Sequence, residues 1–367
     1  LWIAGGRDIP FFGGAVLSLD DKKRCHWVEY EGKRFMKAVI VTTWGDPAEV
    51  LELRDLPEPV AGRGQVLVRM LASPVNPSDL LMVQGKYGRQ PKLPAIPGFE
   101  GVGIVESGSG FLARRVLGRR VAVLNSGTAN GNWQEKVVIP ARQAVPVPRD
   151  LSDEQAATFF VNPASALVMT RYVLRIPAGA WLLQTAAGSA LGRMVIRLGQ
   201  RHGFRTLNVV RRREQADELL RLGGTAAVAT NDESLYGRVQ ELTGGQGVPY
   251  AIDAVGGTTG TEVIGCLGRA GRLLVYGTLA GEPIRIDPRV LLVGQKRVEG
   301  FWLSEWVRDQ GVVTMLLLFR RIRRLLRAGV LTSEVGTTYP LADIRAAVSQ
   351  AALPGRHGKV LLRIATA

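Results

Sequence analysis

Residues 181–213 constrain this chain more than any other stretch. An apolar run, WLLQTAA, opens into the small-residue turn Gly188-Ser189-Ala190-Leu191-Gly192. The helical pattern RMVIRLGQRHG follows, and a second apolar run, TLNVV, ends in Arg211-Arg212-Arg213. Strand, turn, helix and strand in that order make the first βαβ unit of a dinucleotide-binding fold. Small residues let the backbone and the helix N-terminus approach a pyrophosphate, and the end of the next strand meets the adenosine ribose. A carboxylate there holds a ribose 2′-hydroxyl, whereas three arginines attract a 2′-phosphate, so the expected cofactor is NADPH. The fingerprint is degenerate: at Gly-x-Gly-x-x-Gly spacing the positions are Ala187, Ser189 and Gly192. The placement of strand, helix and arginines carries the reading, not the glycine count.

The rest of the chain falls into two patterns. From Met36 to about residue 150, short runs such as KAVIVTT, VLELRDL, QVLVRMLAS, GVGIVESG and RRVAVLN are punctuated by Gly and Pro, which predicts a mostly antiparallel β-domain. From about residue 152, helices and buried strands alternate, which predicts a doubly wound parallel sheet. The segment EQAATFFVNPASALVMTRYV reads as helical, residues 308–328 as one long helix, and YPLADIRAAVSQA as a helix before a last strand, KVLLRI. The expected division is 156–303 for the cofactor domain, with 36–155 and 304–367 forming a discontinuous β-domain. Residues 1–35 lack the basic n-region and long apolar core of a secretory signal and the acid-free character of a transit segment. They read as a non-native or disordered leader before a start at Met36; a genuine, poorly ordered extension is the alternative.

With 367 residues, 46% of them hydrophobic, the chain has room for two domains. No apolar run approaches the ~20 residues that cross a bilayer, so no membrane partner is expected. Two cysteines, Cys25 and Cys266, make no disulfide framework and suit a reducing compartment: the cytoplasm, or the mitochondrial matrix in a eukaryote. The net charge of +15 suits anionic cofactors and substrates but equally nucleic acid or acidic proteins, so it discriminates little.

Local words then point to a family. VNPSDLLMVQGKYG (75–88), PAIPGFEGVG (94–103), GNWQEKVVIP (131–140), FFVNPASA (159–166), NVVRRR (208–213), LVYGTLAG (274–281), FWLSEW (301–306) and GKVLL (358–362) together resemble the zinc-free branch of the medium-chain dehydrogenase/reductase superfamily. QGKYG and FWLSEW look most like its trans-2-enoyl-CoA/ACP reductases; the other words are shared with NADPH:quinone oxidoreductases. The resemblance implies an α/β protein with a GroES-like, mostly β catalytic domain, a Rossmann cofactor domain and an active site in the cleft between them. It also implies a homodimer formed through the cofactor domain. Zinc-dependent members carry Gly-His-Glu where this chain has Gly98-Phe99-Glu100, and His26, His202 and His357 show no ligand spacing, so no metal is expected.

Reducing a double bond conjugated to a carbonyl needs a hydride at the β-carbon, stabilisation of the carbonyl oxygen and a proton at the α-carbon. A tyrosine phenol, with a pKa near ~10, stays protonated at neutral pH and can supply that proton. The resemblance places Tyr87 in this role and Asn76 beside the nicotinamide or the substrate carbonyl; a helix cap is the other reading of Asn76. It assigns Asn162 to the nicotinamide side, with a cap again the alternative. Gly188, Ser189, Ala190 and Leu191 are assigned to the pyrophosphate, and Tyr276, Gly277, Thr278 and Leu279 to a cofactor-facing strand end. Phe301, Trp302 and Leu303 fall near the nicotinamide, and Lys359 near the cofactor. Trp306 and Trp133 read as packing residues. Ala190 stands where the family turn often has glycine.

The implied substrate is an acyl thioester on CoA or acyl carrier protein. FRRIRRLLRAG (319–329) sets Arg320, Arg324 and Arg327 on one helix face, either a solvated face or a landing site for CoA phosphates or an acidic carrier protein. Quinone reduction is the nearer rival activity. Nucleic-acid binding is the distant one, because the arginines are not interleaved with aromatic residues.

Overall fold

The computed structural model describes residues 17–19, 25–27, 34–124 and 130–365 and divides the chain into two units. One comprises residues up to 157 with 335–367; the other comprises 158–334. Nearly all of the proposed leader lies outside the described residues.

The second unit is built on six parallel strands. Across the sheet they run Ala226–Ala229, Arg205–Val210, Trp181–Gln184, Val248–Asp253, Leu267–Val275 and Arg297–Gly300. In chain order this is 3-2-1-4-5-6, the doubly wound arrangement. Leu182 and Leu183 are fully buried because the first strand lies inside the sheet, covered on both faces. The following helix, Ala190–His202, starts at Ser189, whose hydroxyl accepts from Gly192 N at 3.1 Å, and ends at Gly203 in the left-handed region. Leu191, Met194, Val195 and Leu198 form the stripe it buries.

The first unit carries a seven-stranded sheet. Its central strands, Gln65–Pro74, Glu100–Gly108 and Arg120–Leu124, pair antiparallel, and the last strand, Lys359–Arg363, closes antiparallel onto Gln65–Pro74. Phe35–Val41 and Leu51–Pro57 form a separate antiparallel pair. Trp133, wholly buried, packs with Val39, Val41, Met82 and Phe99, a structural role as expected.

Several expectations change. The helical reading of 154–173 breaks at 158–160 into Asp153–Ala157 and Val161–Val168, followed by a π-helical turn, Met169–Val173. Pro163 suits a helical first turn and disfavours a helix running on through it from the N-terminal side. The long helix expected at 308–328 is two, Leu303–Arg308 and Val312–Arg327, parted at Gly311. Residues 304–334 belong to the second unit, not to the β-domain. Phe319 stacks on Phe159 and meets Phe160 at a tilt, and Arg197 donates to Thr332 O at 2.9 Å. The helix Pro288–Gly294 and the edge strand Arg297–Gly300 were not foreseen.

Candidate functional site

In the second unit, the turn before Ala190–His202 is shaped by two glycines with opposite surroundings. A Cβ on Gly192 would lie 2.3 Å from Ala187 O, so only glycine lets the helix start this close to the strand. A Cβ on Gly188 would meet nothing nearer than 3.8 Å; that side is open. Ser189 is exposed, Ala190 half-buried, and Leu191 points into the core. At the end of Arg205–Val210, Arg211 and Arg212 are exposed and have no acid partner among the described residues. Arg213 has Asp217 at 3.9 Å and Glu233 at 4.0 Å.

Two further strand ends in this unit bear on the site. Asp253 accepts from Thr185 Oγ1 at 2.5 Å and from the N–H groups of Val255 and Gly256 at 2.9 Å each. The Tyr276 phenol oxygen is buried without a hydrogen-bond partner, and burial first, then the Asp253 charge, holds it above the usual phenol range. A Cβ on Gly277 would lie 2.7 Å from Ala254 O, while Thr278 and Leu279 are exposed. Phe301 N donates to Val275 O at 2.8 Å; Phe301, Trp302 and Leu303 are half-buried. Trp306 meets the Tyr172 ring edge-on at 5.7 Å, the packing role expected of it. Asn162 lies within the helix Val161–Val168, whose cap is Phe160, so capping is not its task. The open side at Gly188, the helix start, the uncompensated Arg211 and Arg212 and the orphaned Tyr276 hydroxyl fit a phosphorylated dinucleotide.

In the first unit, Tyr87 is placed by the end of the helix Pro77–Val83. Gly85 takes φ +72°, and a Cβ there would stand 3.0 Å from Trp44, so the chain turns where only glycine is comfortable. Tyr87 is half-buried, with its ring 4.9 Å from Phe99 and tilted by 35°. Phe99 supports the Tyr87 ring here, at the position where the resemblance gave zinc-dependent members a histidine. Among the described residues no group of three or more His, Cys, Asp or Glu is placed to hold a metal.

Behind Tyr87 and Phe99 lies a buried polar knot. Asn76 caps Pro77–Val83, with Asp79 Oδ2 accepting from its backbone N–H at 2.7 Å. Its side chain joins two charged groups: Lys359 Nζ donates to Oδ1, and Nδ2 donates to Glu100 Oε1 at 3.2 Å. Asp79 Oδ1 also accepts from Phe99 N at 3.0 Å. None of Asn76, Asp79, Glu100 and Lys359 is more than 4% exposed. Burial pushes the Asp79 carboxyl up to about 7, outweighing the two backbone donors and Lys359. Burial lowers the Lys359 ammonium, opposed by Glu100 and Asp79. Asn76 and Lys359 are thus brought together, as sequence reasoning did not foresee. Asp79 and Glu100 were missed, although the Asn-x-x-Asp spacing at a helix start was a usable signal.

Comparison with known proteins agrees with these features. The alcohol dehydrogenase GroES-like domain matches residues 62–149 and the zinc-binding dehydrogenase domain matches 190–317. The chain belongs to the medium-chain dehydrogenase/reductase superfamily of oxidoreductases. Within it, the chain is similar to the mitochondrial enoyl-[acyl-carrier-protein] reductases of Homo sapiens (33% identity, 89% of this chain and 88% of the human protein) and Bos taurus (33%, 89% and 88%). Among solved structures, a Bacillus thuringiensis protein described as an NADPH:quinone reductase is 34% identical with a TM-score of 0.85, covering 90% of this chain and 100% of that one. A mycobacterial protein solved with NADPH is 28% identical with a TM-score of 0.80 and the same coverage. Among the described residues no helix is long and apolar enough to cross a membrane.

Proposed function

We propose that this protein is an NADPH-dependent reductase of 2-enoyl thioesters. The observation that carries the reading is the Tyr87 loop: a tyrosine held on the Phe99 ring, after a helix stopped by a left-handed glycine. Similarity to enoyl-[acyl-carrier-protein] reductases over 89% of the chain supports it, and their mitochondrial designation makes the matrix a candidate location. NADPH is supported by Arg211 and Arg212, which no carboxylate among the described residues offsets, and by the relative solved with it.

A bound NADPH supplies the hydride for the β-carbon of the conjugated double bond. The chain supplies the rest. The Tyr87 phenol holds the proton that the α-carbon takes, and Phe99 fixes the ring that carries it. Asn76, gripped at both ends of its amide, is a rigid group for orienting the carbonyl end of the acyl chain. Arg211 and Arg212 hold the cofactor's 2′-phosphate, and the turn 188–191 holds its pyrophosphate. Lys359 serves this arrangement through Asn76.

Tyr87→Phe removes one hydroxyl and keeps the ring stack. Reduction of crotonyl-CoA should fall by roughly 10²–10⁴ in kcat, with KM for NADPH unchanged. Full turnover in this variant defeats the reading. Quinone reduction is the second reading, favoured by the NADPH:quinone reductase among the similar structures. Parallel assays with crotonyl-CoA and a soluble quinone decide between them.

A further inference from the structure

One region of the second unit gathers positive charge that no carboxylate among the described residues pairs with. Three elements contribute: Arg171 on the π-helical turn, Arg201 and His202 at the end of Ala190–His202, and Arg321 and Arg324 on Val312–Arg327. These elements are held together by the helix Val161–Val168, which runs on into the π-helical turn and packs against both Ala190–His202 and Val312–Arg327. Phe319 lies on Phe159 and Phe160, and the Arg321 guanidinium lies 6.0 Å from the Tyr172 ring centroid. Among the described residues, no carboxylate pairs with Arg171, Arg201, Arg321 or Arg324. The contrast on the same helix is direct: Arg193 pairs with Glu218 at 2.7 Å and with Glu334 at 3.5 Å, and Arg197 with Glu334 at 3.7 Å.

Hydrogen bonding is as incomplete as the charge balance. Arg171 Nε, Arg321 Nε and His202 Nε2 are buried with no hydrogen-bond partner among the described residues, although Arg171 Nη1 donates to Ile176 O at 2.5 Å. Burial, and then Arg171, Arg321, Arg201 and Arg324, push the His202 imidazole down to about 4. Burial, and then Arg321, lowers Arg171. Buried donors left unmet beside like charges are costly, and an anion between them removes both penalties.

We propose that Arg171, His202 and Arg321 form a binding site for a phosphate group, with Arg201 and Arg324 at its rim. Guanidinium forks match the tetrahedral oxygens of phosphate, and several converging donors suit a dianion better than a carboxylate. The site is separate from the pyrophosphate turn, because it lies at the other end of the same 13-residue helix, about 18 Å away at 1.5 Å per residue. A helix C-terminus carries partial negative charge, so the guanidinium groups, not the helix, hold the anion. The phosphate comes either from solution, as inorganic phosphate, or from a carrier such as coenzyme A. The second source rests on the thioester reading; the site itself does not.

The test uses the unfolding midpoint of the full chain saturated with NADPH, so that the cofactor's own phosphate contacts are filled. Inorganic phosphate, coenzyme A and 3′-dephospho-coenzyme A are added at ionic strength matched with sodium chloride. Inorganic phosphate should raise the midpoint saturably, where chloride does not. The half-saturating concentration should increase at least tenfold in Arg171→Gln and in Arg321→Gln. Coenzyme A acting more strongly than its dephospho form assigns the group to the carrier's 3′-phosphate; neither form acting beyond the chloride control while inorganic phosphate does assigns it to free phosphate. In wild-type protein, phosphate should also raise the His202 imidazole pKa, followed by NMR, which keeps the test decisive if a variant fails to fold. A phosphate response equal to that of chloride, an unchanged response in both glutamine variants, or an unmoved His202 overturns the proposal.

Discussion

The turn at 188–192 and the knot around Asn76 handle their polar atoms in opposite ways. Near the turn, Arg211 and Arg212 face solvent and, among the described residues, no carboxylate pairs with them and the Tyr276 hydroxyl has no hydrogen-bond partner. In the knot, the Asn76 amide is bonded at both ends, and both oxygens of Asp79 accept backbone N–H groups. Unmet donors are a capacity for binding; a closed set of bonds is a source of stiffness. The first region therefore reads as a place a ligand fills, and the second as the mount that holds Asn76 and the adjoining Phe99–Tyr87 pair in position.

The largest effect that could break this contrast is expected at Lys359. Lys359→Met keeps most of the side chain's volume but leaves Glu100 without its buried counter-charge, which should cost about 3–5 kcal/mol in urea unfolding. If stability is unchanged while KM for NADPH rises, Lys359 belongs with the cofactor contacts and the knot is not a mount.

An effect of similar total size, spread over pH, follows from Asp79. Its carboxyl, at about 7 when folded, lies above the ~3.9 of an unfolded chain, so the folded state binds its proton more tightly. Between roughly pH 4 and pH 7 the unfolded chain has lost a proton that the folded chain keeps. The stability this group contributes therefore falls as pH rises through that window, by up to ~1.4 kcal/mol per unit. Asp79→Asn cannot titrate, so the advantage of wild type over this variant should shrink from about pH 4 to about pH 7. A constant difference means the carboxyl ionises normally.

The smallest effect sharpens the other half of the contrast. Replacing Arg211 and Arg212 with serine should leave the unfolding midpoint unmoved, since neither has a carboxylate to lose. KM for NADPH should rise roughly 10–100-fold, the loss of about one or two charged hydrogen bonds, with KM for NADH little changed.

The sequence made some of this legible and hid the rest for physical reasons. The strands at 181–184, 205–210 and 248–253 are apolar runs with turn residues after them, and such runs announce a buried parallel sheet. Tyr87 was singled out by the resemblance of QGKYG to a family word; the glycine, turn and tyrosine alone equally describe a turn residue packing its ring. The breaks at 158–160 and at Gly311 were not, because helical periodicity continues on both sides of each. The strand Arg297–Gly300 holds too few apolar residues to announce itself. Lys359 and Asn76 are 283 positions apart, and no local pattern encodes a bond of that span. The cluster at His202 was half visible: the arginines of 319–329 stood out, but Arg171 and His202 join them only through tertiary packing.

The bond from Lys359 to Asn76 also bears on synthesis. Residues 158–334 leave the ribosome before the strand Lys359–Arg363 does, so the interrupting unit can finish folding while its host still lacks a closing strand. Until then the nascent host carries Asp79 and Glu100 without the cation that neutralises them. Any truncation upstream of residue 359 thus leaves the early part of the chain electrically unfinished, however well the later part has folded.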